Sequence, residues 1–236
     1  MKALLLSAGY GTRLKPLTDN IPKCLLPVNN KPLIFHWLEI LENEGIDEVI
    51  INTHYLHEKV TKTVNERNNK IKINFFFEEE LLGSAGTLFA NEEILAEAND
   101  FLILYADNYT EVSLKPLIDF HKKTDALYTT YVYKTDVPHL KGIYEYNSDT
   151  GKAISFEEKP ANPKSNIANA GIGVLNKHIF KYNKGQIPCD FGKDILDQIT
   201  DQTYLMLTKN IIQDIGTPED YYKLQEVLKK KKEIDL

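Results

Sequence analysis

Residues 2–27 read KALLLSAGYGTRLKPLTDNIPKCLLP, and the fold follows from how this stretch begins. The apolar run Ala3, Leu4, Leu5, Leu6 stops abruptly at Ser7-Ala8-Gly9-Tyr10-Gly11, the pattern of a buried strand emptying into a backbone-rich loop. Gly9 and Gly11 permit positive φ and close approach of main chain to an anion, and Thr12, Arg13, Lys15 and Lys23 add a hydroxyl and cations in the same segment. That combination describes a polyphosphate site. A dinucleotide fingerprint does not fit, because Leu14 stands where a third glycine is needed and Pro16 would interrupt the helix that must follow. A P-loop does not fit either, since no Gly-Lys-Ser/Thr closes the segment. A solvated loop without ligand is the remaining alternative, and the cations weigh against it.

Further along, Pro32 stands where a helix can begin, and Leu33, Ile34, Trp37, Leu38 and Leu41 recur at helical spacing until Gly45. This makes Trp37 a core residue. Residues 48–52 (EVIIN) read as a second strand, 58–64 as part of a second helix, 71–77 (IKINFFF) as a third strand and 101–106 (FLILYA) as a fourth. Alternation at this spacing predicts βαβ units and a parallel sheet. Beyond Asp107-Asn108 the pattern changes. Residues 127–133, 142–146, 154–156 and 170–175 read as strands without long helices between them, so the second half is expected to add antiparallel strands. Thr217 as cap and Pro218 as first residue open an amphipathic helix that runs to Leu228.

The 236 residues suffice for one full core, with 42% hydrophobic and 26% charged residues, an ordinary globular balance. A net charge of −6 argues against general nucleic-acid binding, and the basic run Lys229 to Lys232 reads as a solvated helix end. Two cysteines, Cys24 and Cys189, lack ligand spacing and indicate no zinc or disulfide framework. No apolar stretch reaches the length of a signal core or a membrane span, so a cytoplasmic protein is expected.

Several residues admit two readings on their own. Ligands of open α/β sheets sit outside the carboxyl ends of strands, which sets Asp107 toward the glycine loop, although Asp also caps loops. Asp214, in IIQDIGTPEDYY, precedes a sharp Gly-Thr-Pro junction and reads equally as a turn residue or a site carboxylate. In EELLGSAGTL, residues 79–88, Gly83 and Gly86 suit a flat base lying against main chain, or a helix start capped by Ser84. Glu158-Lys159 before Pro160 reads as a surface loop. His54, near the end of the second strand, reads as structural.

SAGYGTRLKPLT followed by PKCLLPV resembles the signature of the sugar-1-phosphate nucleotidylyltransferases, roughly A-G-G-x-G-T-R-L-x-P-L-T then P-K-P-L, and the short mannose/heptose-1-phosphate guanylyltransferase-like members most of all. Ser7 replaces a small apolar residue of that signature and Cys24 a proline; neither change removes a charge. The resemblance implies a Rossmann-like (GT-A-like) α/β nucleotidyltransferase fold with a mixed, mainly parallel sheet flanked by helices. It also implies nucleotide contacts from Ala8, Gly9, Gly11, Thr12, Arg13 and Lys23 and from Leu82, Gly83 and Gly86, with Arg13 and Lys23 as the catalytic cations. Asp107, in the family's G-D dipeptide with Ala106 for glycine, and Asp214, in D-I-G-T-P, would hold Mg²⁺. Gly142, the Glu158-Lys159 pair of F-x-E-K-P, and Asn169 and Gly171 of N-x-G would hold the sugar phosphate.

The activity so implied is nucleotidyl transfer from a nucleoside triphosphate, GTP favoured by L-G-S-A-G, to a sugar 1-phosphate, with release of pyrophosphate. CTP or UTP with another phosphorylated acceptor such as phosphocholine, and a non-catalytic nucleotide-sugar-binding subunit, are the alternatives. No hexapeptide repeat follows the last helix, so residues 1–236 are read as one domain without the β-helix of some relatives. An exposed aromatic strand at 128–133 leaves room for a homodimer.

Overall fold

The structure, a computed structural model, describes residues 1–234. In chain order its elements are β1 (Lys2–Leu6), β2 (Pro27–Val28), β3 (Lys31–Pro32), α1 (Leu33–Asn43), β4 (Glu48–Thr53), α2 (His57–Glu66), β5 (Lys72–Phe77), α3 (Ser84–Ala90), α4 (Glu92–Leu95) and β6 (Asp100–Tyr105). There follow β7 (Asn108–Thr110), α5 (Lys115–His121), β8 (Tyr128–Lys134), β9 (Gly142–Tyr146), β10 (Ala153–Glu158), β11 (Ile167–Asn176), β12 (Thr203–Leu207), β13 (Ile212–Asp214) and α6 (Pro218–Ile234). The chain divides into two compact units. One, the loop unit, holds Leu5–Leu81, Tyr105–Val112 and the chain from Asn210 on; the other, the bulge unit, holds Met1–Leu4, Leu82–Leu104 and Ser113–Lys209.

In the loop unit β4 pairs with β5 in parallel, from Glu48 opposite Lys72 to Thr53 opposite Phe77. All six residues of β4 are buried, the apolar Val49, Ile50 and Ile51 at its centre and the polar Glu48, Asn52 and Thr53 at its ends. Helix α1 buries Leu33, Ile34, Trp37, Leu38 and Leu41 and stops as its sequence predicts. Gly45 takes φ +69° while the Ile46 N–H donates to the Leu41 carbonyl at 3.0 Å, a closure that a residue with Cβ resists. Helix α6 opens on a cap in which the Thr217 hydroxyl accepts from the Asp220 N–H at 3.2 Å and the Asp220 carboxylate accepts from the Thr217 N–H at 3.1 Å. Its Tyr221, Leu224 and Leu228 pack with Leu14, Leu26, Val28, Leu33, Tyr109 and Ile215 in one apolar cluster, which fastens the segment after the glycine loop. Lys231, expected to be merely solvated, pairs with Glu111.

In the bulge unit β11 is the hub. It pairs antiparallel with β6, β8 and β9, β9 continues antiparallel to β10, and β12 joins β8 in parallel. Between Asn169, opposite Val132, and Gly173, opposite Thr130, the β11 register shifts against β8, and Gly171 within the bulge takes φ +66°. The strand at 128–133 is not an exposed aromatic surface: β11 and β12 pair with both edges of β8, and Tyr128, Tyr131 and Val132 are buried, with Tyr128 edge to face against Phe191 at 5.4 Å and the Tyr131 hydroxyl donating to the Ser113 carbonyl at 2.9 Å. That basis for a homodimer is therefore removed.

Gly173 lies directly beneath the Tyr128 ring, where a Cβ would come within 2.3 Å of Cε2. Gly173→Ala should therefore lower the unfolding free energy by about 1–3 kcal/mol through overpacking. Gly9→Ala, with nothing within 4 Å of the added carbon, is the control. Urea denaturation measures both, and equal stability of the two variants would refute the packing argument.

Candidate active site

In the loop unit the glycine segment leaves β1 and turns at Gly11, which takes φ +63° and precedes a short 3₁₀ turn, Thr12–Leu14. The Gly11 carbonyl accepts from the Thr18 hydroxyl at 2.8 Å and from the Leu14 N–H at 2.9 Å. A Cβ there would meet Thr18 at 3.0 Å, so both conformation and space demand glycine. Gly9 is not among the residues with positive φ; it is exposed, and its lack of a side chain only keeps the loop open. Ala8 is buried, and Thr12 and Arg13 are exposed.

Lys23 begins a second 3₁₀ turn, Lys23–Leu25, with its side chain 12% exposed. Its ammonium donates to Asp107 Oδ2 at 2.7 Å and to Asp214 Oδ1 at 3.3 Å. Burial works against the charge, but Asp107 and Asp214 outweigh it and hold the Lys23 pKa above its ordinary value. The two carboxylates, far apart in sequence, meet because β7 pairs antiparallel with β13, setting Asn108 opposite Asp214. The junction is tied further: Ala106 N–H donates to the Leu6 carbonyl at 3.0 Å, Ile215 N–H to the Asp107 carbonyl at 3.2 Å, and Trp37 Nε1 to the Asn108 carbonyl at 2.8 Å. Both acids keep access to solvent, with side chains 40% and 27% exposed. Cys24, next to the lysine, is a buried thiol whose pKa burial pushes up to about 12, so it offers no thiolate.

Gly216 was legible only as part of a turn, yet it shapes this cluster. A Cβ on it would lie 3.1 Å from Asp214 Oδ2 and 3.5 Å from Arg13 Nη2, so the bare backbone leaves room for acid and guanidinium together.

In the bulge unit Gly83, with φ +78°, caps α3 in place of Ser84. The Ser84 hydroxyl instead donates to Asp190 Oδ2 at 3.1 Å and accepts from the Phe191 N–H at 2.8 Å. The Cys189 carbonyl accepts from the Ala85 and Gly86 N–H groups at 2.9 and 3.0 Å, and the Cys189 N–H donates to the Leu82 carbonyl at 2.9 Å. A Cβ on Gly83 would stand 2.4 Å from that Cys189 oxygen. The glycines of this loop thus answer first to the neighbouring strand of main chain.

Glu158 ends β10 with its carboxylate over Gly142 and Gly192, where added Cβ atoms would lie 2.6 and 3.1 Å from Oε2. Burial raises the Glu158 pKa, the positive charge of Lys159 opposes this, and Asp190 adds to the rise. Lys159 is exposed and takes φ +50°, pinned by its N–H donating to the Lys141 carbonyl at 3.0 Å. Asn169 spends its side-chain oxygen inside the bulge, accepting from the Thr130 hydroxyl at 3.0 Å and the Gly171 N–H at 3.3 Å. Asp190 and Gly192 were missed by the sequence reading; the only signal was an Asp and a Gly two residues apart after a proline.

Among the described residues no helix is long and apolar enough to cross a membrane. A family model described as nucleotidyl transferase matches residues 2–231. Mannose-1-phosphate guanylyltransferase 1 of Arabidopsis thaliana is 36% identical over 228 residues, covering 94% of this chain and 63% of that protein. Mannose-1-phosphate guanyltransferase of Saccharomyces cerevisiae is 33% identical over 227 residues, again covering 94% and 63%. The chain therefore spans less than two thirds of the length of these curated relatives. Among solved structures, HddC from Yersinia pseudotuberculosis aligns with a TM-score of 0.81 at 28% identity, covering 96% of this chain and 99% of that one, and has also been solved complexed with GMP-PN. The Rossmann-like α/β nucleotidyltransferase fold implied by the sequence is the fold found. The matched span takes in nearly the whole of both units and every candidate site residue, and on that extent the chain belongs to the nucleotidyl transferase family.

Proposed function

We propose that the protein transfers a nucleotidyl group, GMP from GTP, to a sugar 1-phosphate, yielding a nucleotide-sugar and pyrophosphate. The observation that carries this reading is the meeting of Lys23, Asp107 and Asp214 beside the glycine loop of the loop unit. The mannose-1-phosphate guanylyltransferase names of the curated relatives and the GMP-PN complex of HddC support the choice of GTP, and those names support a hexose 1-phosphate as acceptor.

In the reaction, an oxygen of the sugar phosphate attacks the α-phosphorus in line. A P–O bond forms there as the bond to the β-phosphate breaks, and its electron pair leaves with pyrophosphate. The nucleophile is already anionic, so no strong general base is required, and rate comes from positioning and charge neutralisation. The main chain of Ala8, Gly9, Gly11 and Thr12 would wrap the triphosphate, Arg13 would hold the departing pyrophosphate and Lys23 the α-phosphate. Leu82, Gly83 and Gly86 would face the base. In the bulge unit Glu158 would bind sugar hydroxyls and Lys159 the sugar phosphate, with Gly142, Asn169 and Gly171 shaping the strand ends around them. The positive φ of Lys159, costly for a residue with Cβ, favours a functional role there.

The donor chemistry of Asp107 and Asp214 fits Mg²⁺, since both are hard oxygen ligands, partly open, and converge on one positive charge. When bound, Mg²⁺ supplies charge neutralisation to phosphate oxygens.

Three outcomes are expected. Mixing the protein with Mg²⁺, each of GTP, ATP, CTP, UTP and dTTP, and a panel of sugar 1-phosphates plus phosphocholine should release pyrophosphate fastest with GTP and a sugar 1-phosphate; no release from any pair would remove the enzymatic reading. Arg13→Ala and Lys23→Ala should each cut kcat about 100- to 1000-fold, and near-normal turnover would refute their roles. Glu158→Gln should raise KM for the sugar phosphate while leaving KM for the nucleotide unchanged; the reverse split would reassign the carboxylate.

A further inference from the structure

The loop Ser7–Gly11 is fastened from one strand end. At the end of β4, Asn52 within the strand and His54 just past it stand two residues apart and reach the two ends of the loop. Asn52 Oδ1 accepts from the Ser7 N–H at 2.6 Å, and the Asn52 carbonyl accepts from the Ser7 hydroxyl at 2.5 Å. Three residues on, the Tyr10 hydroxyl lies 2.7 Å from His54 Nε2, with the two rings edge to face and their centroids 4.9 Å apart.

Both anchors converge on Glu78, which is 3% exposed. Asn52 Nδ2 donates to Glu78 Oε1 at 2.8 Å, and His54 Nδ1 lies 2.8 Å from the Glu78 carbonyl oxygen. A carbonyl oxygen can only accept, so Nδ1 carries the proton, and in the neutral ring Nε2 accepts from the Tyr10 hydroxyl. The Glu78 N–H donates to the Thr53 carbonyl at 2.9 Å, holding this node against β4 itself.

We propose that Asn52 and His54 are positioning residues that preset the Ser7–Gly11 main chain for a nucleoside triphosphate, acting through Ser7 and Tyr10 and sharing Glu78 as their anchor. The proposal rests on the reading of that loop as the phosphate site. A glycine-bearing loop that is ordered only on binding charges its lost backbone entropy against affinity, and fastening it beforehand removes that cost from the binding step.

The test compares Asn52→Ala, His54→Phe, Tyr10→Phe and the His54→Phe/Tyr10→Phe double variant with the unaltered protein. Tyr10 is 47% exposed and its substitution removes only a hydroxyl, so that variant keeps the fold intact even where Asn52→Ala does not. Direct titration with GTP and Mg²⁺, and separate KM values for GTP and the sugar phosphate, are the readouts. Each single variant is expected to weaken GTP binding and raise its KM about three- to tenfold, the effect of one lost hydrogen bond. The sugar-phosphate KM stays unchanged, and the double variant is no worse than His54→Phe alone, because the contact that Tyr10→Phe removes is already lost there. Unchanged GTP affinity in Tyr10→Phe, or an equal rise in both KM values, overturns the proposal. Failure of the unaltered protein to bind any of the five nucleoside triphosphates instead overturns the phosphate-site reading itself.

Discussion

One ammonium group between two carboxylates is the constraint on which the loop unit is arranged. Asp107 and Asp214 are separated by a long stretch of sequence, and side by side they would repel; Lys23 relieves that repulsion with a single buried charge. Bringing the three together requires the strand ribbon of β7 and β13, the register that sets Asn108 opposite Asp214, and the Trp37 and Leu6 contacts that hold the ribbon in place. The apolar cluster around Tyr221, Leu224 and Leu228 then keeps the segment carrying Lys23 where the ribbon expects it. Elements from the beginning, middle and late part of the chain are thus held by a charge relation that no one of them satisfies alone.

The bulge unit follows a different logic, in which main chain rather than charge sets positions. Glycines recur where another backbone or ring must come close: Gly83 against Cys189, Gly173 beneath Tyr128, Gly142 and Gly192 under Glu158. The carboxylate of Glu158 is therefore placed by the absence of side chains around it. Its raised pKa comes first from that enclosure, and Asp190 contributes through negative charge.

Much of this was legible in the sequence because strong local patterns coincide with tertiary demands. The strand before Ser7, the helix ended by Gly45 and the Thr217-Pro218 helix start are each specified by a few adjacent residues, and each appears as read. Asp107 and Asp214 could be named individually, but their approach depends on strand register between distant segments, which no local pattern encodes. The failures have the same origin. The aromatic residues at 128–133 looked like a solvent-facing strand because sequence does not reveal that distant segments, Phe191 and Ser113 among them, would pack on its side chains. Ser84 looked like a helix cap because its partner, Asp190, lies more than one hundred residues away. Asp190 and Gly192 carry no motif of their own, and Gly216 was legible only as part of D-I-G-T-P; the room each leaves or the contact each makes is purely spatial.

The late position of Asp214 and α6 has a consequence for how the protein comes into being. A ribosome that has made everything through β12 has already released the glycine loop, Lys23 and Asp107, yet neither the second carboxylate nor the helical buttress behind them exists. The nascent chain is consequently unable to assemble the full cluster of Lys23 and two carboxylates until the segment carrying Asp214 emerges, and a chain stopped before β13 would leave Asp107 and Lys23 paired without the second acid.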